Sequence, residues 1–155
     1  MLRSAPRPPQ RGLRALALLL LALGAAGCSA HDRCSRATEV TPRLCPAALP
    51  DIRAVRVLEN ASQSPAQAEP GASCAAFDVD EHVARRFLEL ARATNANDAH
   101  HTLDHSPCQA AGEVEFENGQ TGRWALSRAR SGTLVVGGRE PLVLYCPACD
   151  FAPFQ

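Results

Sequence analysis

The chain contains no lysine; all sixteen basic residues are arginine. A GC-rich genome produces that bias, so it does not by itself point to phosphate recognition. An excess charge of one sign is also missing, because sixteen acidic residues bring the formal net charge to zero. Arg3, Arg7, Arg11 and Arg14 all precede the first acid, which leaves twelve basic against sixteen acidic residues in the remainder. That mildly acidic body lacks the basic stripe a phosphate backbone needs, which argues against nucleic acid as the main partner. No apolar run can span a bilayer: Ala15 to Gly27 is thirteen residues, where about 20 are needed. There is no G-x-S-x-G nucleophile elbow and no glycine-rich phosphate loop.

What the N-terminus does contain reads as a targeting signal. Arginine-bearing "MLRSAPRPPQRGLR" precedes "ALALLLLALGAAG". A basic n-region, a short apolar region and a small-residue exit describe a secretory signal peptide over residues 1–27. The exit "LALGAAGCSA" resembles a bacterial lipobox, in which Cys28 would become the lipidated first residue of the mature protein. It departs from that pattern by placing Ala25, not leucine, three positions before the cysteine. Ordinary cleavage near Ala26 or Ala30 is the competing expectation. Ser29 follows Cys28, and the absence of Asp there resembles outer-membrane rather than inner-membrane lipoproteins.

The seven cysteines fit the same reading. With Cys28 lipidated, Cys34, Cys45, Cys74, Cys108, Cys146 and Cys149 remain. An even set in a small exported protein reads as disulfides, and six cysteines allow 15 pairings. Cys34 with Cys45 would pinch a loop. Cys108 precedes the first strand of a strand-rich region and Cys146 and Cys149 end its last, so Cys108 is expected to pair with one of those two. Closing that loop of about 39 residues would contribute about 4 kcal/mol in the chain-entropy model.

Along the mature chain, residues 28–50 read as a Pro/Arg/Ser-rich tether. "DIRAVRVLEN", Asp51 to Asn60, suits a first strand, and "ASQSPAQAEPGAS", Ala61 to Ser73, a low-complexity linker. An α+β domain is expected over 74–155. Val79, Val83, Phe87 and Leu90 recur at helical spacing, which predicts a helix from about Val79 to Ala93. Asp78 and Glu81 are spaced as its capping box, with Asn95 and Asn97 as stop residues. Four strands follow. "GEVEFEN" alternates Glu113, Glu115 and Glu117 against Val114 and Phe116, with the glutamates on a solvated face. Asn118-Gly119 signals a hairpin turn. "TGRWALSR", "GTLVV" and "PLVLYC" complete a four-strand antiparallel meander laid on the helix. The order strand, helix, four strands would also suit a cystatin-like wrap.

Asp104-His105-Ser106-Pro107-Cys108, then Trp124, then Gly132-Thr133-Leu134, then Leu144-Tyr145-Cys146 with Cys149 form a recurring order of motifs. That order resembles a family of small exported bacterial lipoproteins to which no activity is attached. The resemblance covers about Phe77 to Phe154 and implies a shared domain without a mechanism.

Two pieces concentrate chemistry: "AHHTLDHSPC", Ala99 to Cys108, and "YCPACDF", Tyr145 to Phe151. A metal site would draw on His101, His105, Cys146 and Cys149, because two imidazoles and a thiolate pair can satisfy tetrahedral zinc, or copper. Against it, only one Cys-x-x-Cys is present, and an oxidising compartment favours disulfides over thiolate ligands. A thiol redox site would use Cys146 and Cys149. The helix that activates such a thiolate has no room in the six residues after Cys149. Ser106, His105 and Asp104 are neighbours in sequence, which does not make a spatial triad. The expectation is therefore a binding or structural module without catalysis or cofactor. It would be held in the cell envelope through a lipid on Cys28, with an envelope protein as its candidate partner.

Overall fold

The computed structural model describes residues 34–154. The leader and the lipidation candidate Cys28 lie outside the described residues. Strands β1 (Cys45–Pro46) and β2 (Ile52–Gln63) come first. Helix α1 (Glu81–Leu90), strand β3 (Arg92–Thr94) and helix α2 (Ala96–Thr102) follow. Strands β4 (Cys108–Phe116), β5 (Thr121–Ser127), β6 (Ser131–Val136) and β7 (Leu142–Tyr145) complete the fold. All seven strands join one antiparallel sheet in the order β1-β3-β7-β6-β5-β4-β2. The mixed α+β class stands, but the fold is mostly sheet. The expected four-strand meander is corrected: β4 to β7 form the middle of a wider sheet, extended by β2 on one side and by β3 and β1 on the other.

The core lies on the face covered by α1. Strand periodicity decides which residues enter it. Ala110, Val114 and Phe116 of β4, Trp124 and Leu126 of β5, Leu134 and Leu144 are all buried. They meet Ala84, Phe87 and Leu88 of α1. Phe154 closes the core, with its ring centroid 5.5 Å from that of Phe77 and 5.1 Å from that of Phe87. Burial of each such ring contributes about 2–3 kcal/mol. Trp124 Nε1 donates to the Glu113 carbonyl at 3.0 Å, which satisfies its one polar atom. Gly112 sits opposite Trp124 across the strands, and a Cβ there would run into the indole ring and the Arg56 carbonyl.

Helix α1 is shorter than its periodicity suggests, and its cap is Asp80 rather than Asp78. Asp80 Oδ1 accepts from Val83 N–H at 2.7 Å. Asp78 is drawn elsewhere, by the Asn60 carboxamide. The helix ends at Leu90 because Ala91 is already extended, and Arg92–Thr94 are taken into the sheet between β1 and β7. Tertiary pairing overrides local helix propensity there. Asn95, read as a stop, starts the next helix: its side chain accepts from Asp98 N–H at 2.7 Å.

The segments read as tether and linker are built into the fold where they are described. Pro42 and Leu44 are buried, and β1 pairs with β3. Strand β2 runs past Asn60 to Gln63, with three register shifts against β4. The Gln63 side chain then pins the following loop. It donates to the Ala72 carbonyl at 2.8 Å and accepts from Glu69 N–H at 2.9 Å.

Three disulfides join Cys34 to Cys45, Cys74 to Cys108, and Cys146 to Cys149. The expected bond from Cys108 to Cys146 or Cys149 is not formed. Cys108 opens β4 and Cys146 follows β7, three strands apart in the sheet. At about 4.8 Å per strand that is about 14 Å, roughly twice the Cα separation a disulfide spans. Cys108 instead meets Cys74 at the end of the loop that follows β2, 5.2 Å away between Cα atoms.

Candidate binding groove

The face of the sheet away from α1 is lined by side chains of another character. Along β4 and β5 the outward positions alternate with the core positions: Gln109, Ala111, Glu113 and Glu115, then Thr121, Arg123, Ala125 and Ser127. The glutamates do not form an acidic strip. Glu113 is registered with Arg56 on one side and Arg123 on the other, and Glu115 pairs with Arg53 at 3.1 Å. Opposite charges at facing positions neutralise this end of the face.

At the other end of the same face α2 stands over the sheet with no residue of its own buried. Between them runs a groove of about 380 Å³. Its floor is made of short side chains: Ala125 and Ser127 of β5, Ser131 and Thr133 of β6, and Val143 of β7. Ala96, Ala99 and Leu103 form an apolar roof, and Gln67, His100 and His105 stand at its polar edge. Gln67 Nε2 lies 3.2 Å from His105 Nδ1, so the loop after β2 is tied to the segment after α2. Beside the floor, Thr94 of β3 is registered with Val143, and its Oγ1 is buried without a hydrogen-bond partner.

A second, larger cleft of about 940 Å³ adjoins the groove. Leu103 to Ser106 line both and form the wall between them. His101 and Asp104 meet Tyr145 and Asp150 in this cleft, with Arg128 and Arg130 from the β5–β6 turn. The two chemistry-bearing pieces of the sequence therefore do converge.

They do not converge as a metal site. Cys146 and Cys149 are bonded to each other and fully buried, so they offer no thiolate to His101 and His105. The three imidazoles cluster among themselves, with ring centroids 5.2 Å apart for His100 and His101 and 5.7 Å for His100 and His105. Among the described residues no group of three or more His, Cys, Asp or Glu side chains is placed to hold a metal ion. The redox reading meets the same burial, and only turn structure follows Cys149 among the described residues. Ser106 Oγ accepts from Cys108 N–H at 3.2 Å, while His105 faces Gln67, so these neighbours form no triad.

Sequence reasoning missed the groove itself. Its polar edge lay in the histidine-rich segment already singled out, but its floor of alanine, serine and threonine carries no motif. No protein-family model, curated protein or solved structure matches the chain.

Proposed function

We propose that this chain is an exported bacterial envelope lipoprotein that acts by binding rather than catalysis, with the groove beneath α2 as its site. The observation that carries the binding reading is that groove, an open space between an unburied helix and a sheet face of short side chains. Its volume lies near the lower end of the range for small-ligand sites, about 300–1,000 Å³. Export is supported by the three disulfides, which take up all six cysteines after Cys28 and persist in oxidising compartments. Anchoring rests on the leader and Cys28, with the outer membrane as the expected destination because Ser29 follows. Among the described residues no helix is long and apolar enough to cross a membrane. A lipid at the start of the mature chain would supply attachment in its place.

The test is to express the whole chain, leader included, in a diderm bacterium. The expected product fractionates with outer membranes, takes up labelled palmitate and contains no free thiol among the six cysteines. A soluble cytoplasmic product with titratable thiols would overturn the reading.

A further inference from the structure

From the chemistry of the groove lining we infer that its ligand is an uncharged saccharide of one or two rings. This inference rests on the binding reading above and gives the site a ligand class. Among the described residues the only carboxylate lining the groove is Asp104, and no arginine lines it. An anionic ligand would meet that carboxylate and no arginine, and a cationic ligand would find only one exposed carboxylate to pair with. Neutral donors and acceptors, by contrast, are abundant. Ser131 and Thr133 present hydroxyls from β6, Gln109 presents a carboxamide from β4, and His100 and His105 present imidazoles. The side chains of Ser131, Thr133 and Gln109 make no hydrogen bond to another described residue. Unspent polar groups of this kind are what a hydroxyl-rich ligand satisfies.

The apolar part of the lining fits the same ligand. Ala99 and Leu103 above, with Ala125 and Val143 below, form two small hydrophobic walls. A sugar ring presents C–H faces to such walls and hydroxyls along its rim, and an N-acetyl methyl would find the same surface. An acyl chain would cover the walls but leave the hydroxyls, the carboxamide and the imidazoles without partners, at about 1–3 kcal/mol for each buried group. The volume of the groove, about 380 Å³, limits the fit to one or two rings. The other depression on this face, above Ala54 and Val135, is rimmed by Arg56, Arg123, Glu113 and Glu115; its charges make it a poorer match for a neutral ligand.

The experiment uses the exported full-length chain, purified from whichever compartment holds it, so the result does not depend on whether Cys28 is lipidated. N,N′-diacetylchitobiose is titrated by calorimetry and by saturation-transfer NMR. Glucose 6-phosphate and decanoate serve as charged and acyl comparators. The expected result is chitobiose binding with a Kd of about 1 mM or tighter, and weaker binding of both comparators. Ala125→Trp, which fills the floor, should abolish binding. Thr133→Val, which removes one hydroxyl at nearly constant volume, should weaken it by about tenfold with an unchanged melting temperature. Failure of folded protein to bind chitobiose overturns the ligand class, as does tighter binding of either comparator. Binding that Thr133→Val leaves intact overturns the site. Retention of the chain in the cytoplasm, whatever it binds, counts against the export reading alone.

Discussion

Asn60 holds Val79 much as a neighbouring strand would. Its carboxamide oxygen accepts from Val79 N–H at 3.0 Å and its amide donates to the Val79 carbonyl at 3.1 Å. One side chain thus fixes the entry to α1 against β2, and the same amide reaches Asp78. Asn60→Ala should leave both Val79 backbone groups without protein partners, at a cost of about 2–4 kcal/mol for two unmade bonds. Thermal unfolding checks this. A melting temperature within error of the parent's would show that water replaces the carboxamide fully.

Gly112→Ala should be among the most damaging conservative changes in the sheet. The added methyl meets the Trp124 ring and the Arg56 carbonyl, and overpacking of this kind costs about 1–3 kcal/mol. Denaturant titration followed by Trp124 fluorescence reads it directly, because this is the chain's single tryptophan. An unchanged midpoint would mean that β2 can shift away from β4 at this point.

The disulfides should rank in stability by the loop each closes. Removing Cys74–Cys108, with 34 residues of separation, should cost about 4 kcal/mol. Removing Cys34–Cys45, with a separation of 11, should cost about 3 kcal/mol. Removing Cys146–Cys149, with a separation of 3, should cost about 2 kcal/mol by the same relation. Paired serine variants and chemical denaturation give the ranking, and non-reducing peptide mapping gives the pairing. Recovery of Cys108 linked to Cys146 would contradict the strand order itself.

Cys28→Ala should abolish palmitate labelling and either release a soluble chain or leave the uncleaved precursor. Unchanged membrane attachment in that variant would remove the lipid anchor from the account.

The legible parts of this fold were those written in local periodicity. Val114 and Phe116 alternate with Glu113 and Glu115, so β4 could be read from its own residues, and Asn118-Gly119 marked the turn to β5. The α1 stripe was legible in part: Phe87 is buried as its spacing predicts, whereas Val79 precedes the helix and Leu90 is exposed. What local pattern could not show was decided by partners distant in sequence. Asp78 and Asp80 both satisfy the spacing of a helix cap, and the choice falls to Asp80 because Asn60, from another strand, occupies Asp78. Arg92–Thr94 is too short to alternate visibly and becomes a strand only because β1 and β7 flank it. The Cys74–Cys108 bond required knowing that β2 lies beside β4. The groove was hidden for a different reason. Sequence patterns register large apolar and charged side chains, whereas Ala125, Ser127 and Thr133 shape this site by being small.

The edge strand β2 is occupied before any neighbour arrives. Arg85 of α1 places its guanidinium on the carbonyls of Ile52 and Arg53, at 2.6 and 2.9 Å, and Asn60 is held by Val79. Three register shifts also break the strand's regularity. A chain tethered to a membrane, as proposed above, meets copies of itself at high density in two dimensions, where an open strand edge would template side-by-side fibres. Here the helix that builds the core also acts as a guard against such lateral polymerisation. Neutralising Arg85 would then be felt first in the crowded plane of the membrane and only later in dilute solution.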